Sequence, residues 1–290
     1  MANRRVLVKR RKSVRNIRKI TRTMQLIATA RFQAAFNRAM ATKPYTQKLA
    51  ELVADLSRAA GSVDHPLLQT HDDVPRSALV VITSDRGLAG GYNANVLRGA
   101  ITHLDELKER GVETDVHMVG KKGSNFFRFL RRAMTEQTTG IGDKPRFEQV
   151  EPIANALMER FIRGEIASVH VAYMRFHSAG VQRPAVVQLL PLSAEQEQGK
   201  EAARPVEYEF SPDPRQLLDE LLPATVRARL FQAFNDASVS EQVARMVAMK
   251  AATDAAADMI KSLTREYNRA RQTQITMELL DIVGGANALS

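Results

Sequence analysis

Residues 224–283 read ATVRARLFQAFNDASVSEQVARMVAMKAATDAAADMIKSLTREYNRARQTQITMELLDIV and contain neither glycine nor proline over 60 positions. Helices of globular proteins usually run about 8 to 20 residues, so a segment of this length without a stop signal predicts a coiled coil. At about 1.5 Å per residue the helix would be about 90 Å long, which exceeds the diameter of a compact domain. This stretch therefore predicts a projecting helix that needs a partner.

The spacing of small and apolar residues predicts the face by which this helix meets its partner. The spacing is close to a heptad repeat, with a seam predicted at Val239, Val243, Met246, Thr253, Ala257, Ile260 and Tyr267. Lys250 and Thr264 interrupt the stripe. Asp213 and Pro214 offer an N-cap and a first helical position, whereas Pro223 predicts either a restart or a kink.

The other end of the chain carries the excess positive charge. The first 50 residues hold 14 lysines and arginines and no acidic residue, whereas the whole chain has a net charge of +10. On a helical wheel the following residues share a basic arc of about 120°: Arg11, Lys12, Arg15, Arg18, Lys19 and Arg22. An apolar arc of about 80° lies on the other side and holds Ile17, Ile20, Met24 and Ile27. The pattern predicts an amphipathic helix that either resumes or continues past Pro44 and packs antiparallel on the C-terminal helix.

The middle of the chain alternates between strand and helix patterns. Strands are predicted at 77–83, 114–119, 168–174 and 184–190, and helices at 95–110, 125–131 and 153–161. This alternation is typical of a small α/β domain. The sequence therefore predicts an α/β fold, namely a long antiparallel coiled coil of N- and C-terminal helices with an inserted small Rossmann-like α/β domain. The predicted boundaries are 1–60 and 210–286 for the coiled-coil helices and 75–195 for the α/β domain.

Composition excludes several classes of function. The 290 residues include no cysteine, which excludes disulfides, thiolate catalysis, cysteine-ligated zinc and iron–sulfur clusters. The longest aliphatic run, residues 78–82, is far shorter than the roughly 18 apolar residues of a membrane span. The basic N-terminus is followed by no apolar segment of the kind found in a secretory signal. We expect a location on the cytoplasmic side.

Two glycine-containing segments are the candidates for phosphate chemistry. Residues 83–93 (TSDRGLAGGYN) follow a predicted strand and precede a helix, a position where a turn can cradle phosphate. The segment lacks the spacing of a P-loop and of a dinucleotide fingerprint, so we interpret it as a structural turn. Residues 120–124 (GKKGS) are interpreted as a solvated turn. No metal site and no catalytic arrangement of serine, histidine and acid, or of paired carboxylates, is identified, and no cofactor is predicted.

The basic N-terminal helix is predicted to face an acidic partner, since most charge runs alternate in sign. A coiled-coil nucleic-acid-binding protein is one alternative, although residues 1–31 hold no aromatic residue to stack on bases. A phosphate-handling α/β enzyme is another. The residue patterns leave both open.

Four segments resemble a known family. They are residues 12–21 (KSVRNIRKIT), 84–93 (SDRGLAGGYN), 244–254 (ARMVAMKAATD) and 275–286 (ITMELLDIVGGA). Their order and spacing, over essentially the whole chain, resemble the γ subunit of F-type ATP synthases. The C-terminal segment is the most specific of the four.

The resemblance implies a non-catalytic rotor subunit. The two terminal helices would form a coiled coil inside a ring of three α and three β subunits, and the α/β domain would form a foot on the membrane c ring, with an ε subunit as a further partner. The rotor would couple ion flow to ATP synthesis or hydrolysis, with no direct binding of nucleotide or nucleic acid. It would lie peripherally on the cytoplasmic side of the cell inner membrane.

The resemblance also implies which residues contact the catalytic β subunits. In the family, the matching positions couple rotation to catalysis in the β subunits and perform no chemistry themselves. The coupling residues implied for this chain are Arg22, Met24, Arg245, Gln272, Thr276 and Glu278.

Overall fold

The computed structural model describes residues 4–59, 65–71, 73–192 and 214–289. The chain divides into two compact units, residues 1–29 with 245–290 and residues 30–244. Two long helices enter both units, α1 (Arg4–Ala59) and α5 (Pro214–Leu289). The predicted fold class is confirmed, since long terminal helices flank an inserted α/β domain. Both helices run through their internal prolines, Pro44 and Pro223, without ending; the predicted N-cap, Asp213, lies outside the described residues.

The buried face of α5 contains the whole predicted seam and further residues beside it. All seven predicted positions are buried or half-buried: Val239, Val243, Met246, Thr253, Ala257, Ile260 and Tyr267. A regular stripe joins Val239, Met246, Thr253, Ile260 and Tyr267 to five positions that were not predicted: Gln242, Met249, Ala256, Leu263 and Ala270. The true stripe alternates spacings of three and four residues without a break, so the predicted interruptions at Lys250 and Thr264 lie beside it. A search for apolar residues misses this register because Gln242 is polar and Ala256 and Ala270 are small.

In the first unit, α1 packs by a face other than the predicted apolar arc. Leu7, Thr21 and Ala28 are buried at intervals of seven or fourteen residues, whereas Ile17 and Ile20 are 52% and 59% exposed. Small side chains at the seam let two helix backbones approach closely. The predicted apolar arc therefore stays largely exposed.

Two contacts fix the antiparallel direction of the helices in this unit. The Thr253 hydroxyl is 2.8 Å from the Thr21 hydroxyl, and the Arg11 guanidinium lies 4.9 Å from the centre of the Tyr267 ring. As the position along α1 falls from 21 to 11, the partner position on α5 rises from 253 to 267. The arginine covers the tyrosine ring in a cation–π contact.

The second unit contains a five-stranded sheet of order β3-β2-β1-β4-β5. Its strands are β1 (Arg76–Ile82), β2 (Glu113–Val119), β3 (Glu136–Thr138), β4 (Ser168–Ser178) and β5 (Val181–Leu190). The first four are parallel, and β5 joins β4 as an antiparallel hairpin. The connecting helices are α2 (Tyr92–Glu109), α3 (Lys121–Phe129) and α4 (Phe147–Ile162). The predicted strands and helices are confirmed, most of them within four residues at each end, except that α4 begins six residues before the predicted position and β3 was not predicted.

Alternate residues of the strands face two separate cores, as the period of a strand requires. Leu79 and Val81 of β1 face α2 and α3, where Phe127 is fully buried. Val80 faces α4 and the first half of α5, which contributes Leu222 among others. The sheet is thus covered on both faces, which is the usual environment of parallel strands.

The core between the sheet and α2 contains a histidine pair that makes stability depend on pH. The rings of His170 on β4 and His103 on α2 lie 4.5 Å apart. Burial, with a smaller contribution from His103, lowers the pKa of His170 to about 4. Because this value is below the unfolded pKa of about 6.5, stability is complete above about pH 6.5 and falls until about pH 4, by about 3 kcal/mol in all.

We expect His170→Gln to reduce this loss of stability in acid. Between pH 7 and pH 5 the wild type should lose about 2 kcal/mol through His170, and the variant should lose correspondingly less. Urea unfolding at both pH values, followed by circular dichroism, measures the difference. His177→Gln is the control, because His177 is exposed on the same strand; an equal effect of both substitutions would contradict the assignment.

Candidate functional site

The glycine-rich turn lies at the carboxyl end of β1, beside the point where the strand order reverses between β1 and β4. Open α/β sheets commonly bind ligands at such a point. Here the polar side chains of the turn bond within the fold. The Asn93 amide donates to the Ser84 hydroxyl at 2.8 Å, and Asp85 accepts the backbone N–H groups of Lys121 at 3.0 Å and Gly140 at 3.0 Å. These bonds support the interpretation of the segment as a structural turn.

Residues 120–124 form a strand-to-helix turn in which Lys121 and Lys122 are exposed, as predicted, whereas the burial of the other three residues was not predicted. Gly123 and Ser124 are buried in the first turn of α3. The Gly123 N–H donates to the Thr83 hydroxyl at 3.0 Å. Gly120 has a φ of +96°, and a Cβ there would lie 2.2 Å from the Thr83 carbonyl oxygen. Glycine is needed in residues 120–124 because this turn packs closely against residues 83–93 and leaves no room for a side chain at Gly120 or Gly123.

A cavity of about 120 Å³ remains beside the turn, between the sheet edge and α5. Its lining includes three acidic residues, Asp85, Asp143 and Glu241, and one arginine, Arg86. This space is far smaller than the roughly 300 to 1,000 Å³ of a typical ligand pocket. An excess of carboxylates also disfavours an anion.

We expect the isolated chain to bind no ATP in the micromolar range. The cavity at the glycine-rich turn is too small and too acidic for a triphosphate, and the sequence contains no phosphate-loop spacing. Isothermal titration calorimetry with Mg-ATP measures this directly. A single tight site would contradict the expectation and would make the glycine-rich turn a functional one.

Asp143, in the loop between β3 and α4, joins the α/β domain to both long helices within the second unit. Its carboxylate accepts hydrogen bonds from Arg31 of α1 and, at 3.0 Å, from Gln242 of α5. Its backbone carbonyl accepts from Arg38 of α1 at 3.1 Å and from Ser238 of α5 at 2.9 Å. We call these five residues the Asp143 junction.

The sequence did not single out Asp143. Its partners Arg31 and Gln242 are 112 and 99 residues away along the chain, and no local pattern reveals such contacts. The one available signal was its place between Gly142 and Pro145 in an otherwise polar loop. That signal marks a turn but no partner.

The end of α5 has no partner within the described chain. Thr273 is half-buried, and every described side chain from residue 274 to 284 is exposed. The apolar ones are between 47% and 68% exposed: Ile275, Met277, Leu279, Leu280, Ile282 and Val283. A helix that is apolar around most of its circumference is normally buried. We call residues 274–284 the apolar tip.

Part of the basic arc of α1 also lacks an acidic partner among the described residues. Lys12, Arg15 and Lys19 are exposed, and no acidic side chain in the described part of the protein forms an ion pair with them. Arg22 donates a hydrogen bond to Gln25 at 3.0 Å. The arc presents uncompensated positive charge, which favours an acidic partner.

The predicted coupling residues differ in exposure. Arg22 is exposed and Met24 is half-buried. Arg245 is only 6% exposed, so contact with another subunit would require its side chain to turn outward. Their roles remain predictions.

The other three coupling residues lie in or beside the apolar tip. Gln272, Thr276 and Glu278 are all exposed. The Thr276 hydroxyl donates to the Gln272 carbonyl oxygen at 3.0 Å, and Glu278 accepts from Gln274 at 2.8 Å. These bonds lie within the helix, so the polar groups remain accessible to a partner.

Neither a metal centre nor a membrane span is found among residues that the structure describes. No group of three or more histidine or acidic side chains there is placed to hold a metal ion. None of the described helices is sufficiently long and apolar to cross a bilayer.

The fold and the site define a protein whose paired terminal helices flank an α/β domain, with a polar junction where an open ligand cleft would otherwise lie. The family model for ATP synthase matches residues 3–289. A protein of Rhodopirellula baltica named ATP synthase gamma chain is 43% identical, covering 100% of this chain and 99% of that protein. One of Leptospira biflexa with the same name is 42% identical over the full length of both. The chain belongs to the ATP synthase gamma chain family, and the nucleic-acid-binding alternative is not supported.

Solved structures agree with the fold. A chain of the Euglena gracilis mitochondrial ATP synthase rotor has a TM-score of 0.63 at 17% identity, covering 94% of this chain and 98% of that one. A chain in the OSCP/F1/c-ring structure of the same organism has a TM-score of 0.68 at 18% identity, covering 99% and 94%. At these identities the likeness shows the fold alone.

Proposed function

We propose that this chain is the central rotor of an F-type ATP synthase. The apolar tip and the adjoining part of the coiled coil turn inside a head of three α and three β subunits. The α/β domain binds the membrane c ring and an ε subunit. Ion flow through the c ring turns the rotor, and the rotor drives the conformational cycle of the β subunits, in which ATP is made or hydrolysed.

The observation that carries this proposal is the apolar tip. A soluble protein rarely leaves a helix end apolar on most sides unless another molecule covers it. The basic arc of α1 needs negatively charged partners, and acidic loops of the surrounding subunits supply them. A smooth apolar surface with few directional bonds also suits a part that must turn within its housing, because the hydrophobic effect is not directional.

Within this function, the coupling residues supply the contacts that depend on rotor angle. Arg22 and Met24 on α1, and Gln272 with Thr276 on α5, are proposed to meet loops of the β subunits. Glu278 is proposed to do the same from the apolar tip. Arg245 is proposed to do so when its side chain turns outward. The chain itself performs no catalysis and binds no cofactor, and it lies peripherally on the cytoplasmic side of the cell inner membrane.

Co-purification tests the proposal. A tagged chain expressed with its native operon should bring down the two large ATPase subunits in equal amounts, three of each per rotor. Reconstituted vesicles of that complex should acidify on addition of ATP, and an uncoupler should abolish the acidification. A tagged chain that purifies alone or with nucleic acid would contradict the proposal.

A further inference from the structure

We propose that Asp143 is the positioning residue that transmits torque between the α/β domain and both long helices. This inference rests on the proposed rotor function and assigns a role to a residue outside the predicted coupling set. Asp143 contacts α1 and α5 at the same time, through its side-chain carboxylate and through its backbone carbonyl group. Each helix contributes two donors at separate heights, Arg31 with Arg38 and Ser238 with Gln242.

The spacing of these donors opposes rotation. Arg31 and Arg38 are seven residues apart, about two turns of α1, while Ser238 and Gln242 are about one turn apart on α5. Because the donors lie at two heights on each helix, tilting and sliding of either helix both strain hydrogen bonds at Asp143. A single contact would act as a pivot.

Apolar contacts also join the α/β domain to α1, and one group of them illustrates why directional bonds are needed. Phe176 of β4 packs on Phe32 and Phe36 of α1, with ring centres 6.5 Å and 5.8 Å apart. Such packing resists separation but resists sliding weakly, since the hydrophobic effect depends on area and not on direction. Hydrogen bonds weaken steeply as their angles depart from linearity, so they resist shear.

The environment of Asp143 strengthens its bonds. Its side chain is 19% exposed, and Gln242 is fully buried. The Arg86 guanidinium lies 3.9 Å away and adds positive charge from the glycine-rich turn. Hydrogen bonds to a partly desolvated charge are about twice as strong as neutral ones. The conspicuous turn thus supports the junction and not a ligand.

The test is a measurement of rotor stiffness in the assembled ATPase complex. The chain has no cysteine, so Lys108→Cys on the exposed end of α2 provides a unique attachment point for a bead on this subunit. With the head immobilised, the angular variance of the bead between ATP-driven steps is inversely proportional to stiffness. Asp143→Ala removes two of the four junction hydrogen bonds, so we expect the variance to rise about twofold if the bonds act in parallel.

Two further variants separate torque transmission from folding. Asp143→Asn keeps an acceptor but loses the charge, and its variance should lie between those of the wild type and Asp143→Ala. Asp105→Asn is the matched control, because Asp105 accepts from Arg132 at 3.0 Å within the α/β domain and is bonded to neither long helix in the described contacts. Its variance should equal that of the wild type.

Unchanged variance in an assembled Asp143→Ala complex would overturn the inference, and if that variant does not assemble, unchanged variance in Asp143→Asn would do the same. A lowered melting temperature with unchanged variance would mean that Asp143 only stabilises the fold. A wild-type complex that does not rotate would instead contradict the proposed function, so the two failures are distinguishable.

Discussion

Replacing Gly120 with alanine is expected to remove about 4 kcal/mol or more of the unfolding free energy of the α/β domain. Gly120 combines a φ of +96° with a Cβ position 2.2 Å from the Thr83 carbonyl oxygen. The left-handed backbone strains any side chain, and the clash adds a second cost because the obstructing atom is a backbone oxygen of Thr83, directly after β1. Neither can relax without separating β1 from α3.

Gly140→Ala is the matched control for this prediction. Gly140 has a φ of +87°, and no atom lies within 4 Å of its Cβ position. It should therefore lose only the conformational part, about 1 to 2 kcal/mol. Tyrosine fluorescence during urea unfolding measures both, since Tyr92 and Tyr173 are buried in the α/β domain and the chain has no tryptophan. Equal losses would show that the close contact at Gly120 relaxes freely.

Truncation of the chain after Thr273 is expected to leave folding intact and to impair coupling severely. The apolar tip makes no described contact with the rest of the chain, so its removal should leave the melting temperature of the isolated chain unchanged. Its six apolar residues, each about half exposed, would contribute about 1 kcal/mol apiece on burial in a partner. Without them, the complex should assemble in lower yield and pump several-fold fewer protons per ATP hydrolysed.

A substitution in the seam between α1 and α5 should, in contrast, lower the stability of the isolated chain. Leu263→Ala removes a side chain that is 7% exposed between α1 and α5, and should lower the unfolding free energy by about 2 to 3 kcal/mol. Thermal unfolding of the isolated chain and ATP-driven acidification of vesicles are compared for both changes. A truncated chain that unfolds as readily as Leu263→Ala would contradict the idea that the tip serves only a partner.

The sequence predicted the architecture well because its strongest signals were long and local. Sixty residues without glycine or proline and the strand-helix alternation were enough for the fold class. The prediction of β3 failed because Glu136 and Gln137 are exposed and only Thr138 is half-buried, so no apolar pattern marks the strand. The seam of α1 was misplaced because Thr21 and Ala28 pack there, while the more apolar Ile17 and Ile20 remain exposed.

The site was less predictable than the fold. The glycine-rich turn was recognised as structural, yet its Arg86 lies near Asp143 of a distant loop, and Asp143 in turn bonds to Arg31 and Gln242, which are 112 and 99 positions away. Arg245 illustrates the converse difficulty, because a charged residue on a long helix is normally solvated and here is buried. Contacts of this kind follow from three-dimensional packing, and a single sequence contains no periodicity that reports them.

Thr21 and Thr253, which share a hydrogen bond, are 232 positions apart in the chain. The ribosome therefore makes α1 long before it makes the part of α5 on which α1 packs. A ribosome adds about 5 to 20 residues per second, so α1 emerges on the order of ten to fifty seconds before its partner. Throughout that interval the seam residues Leu7, Thr21 and Ala28 have no helix to pack against. The rotor is therefore completed only when translation ends, and a chaperone that shields the nascent N-terminal helix should raise the yield of folded chain.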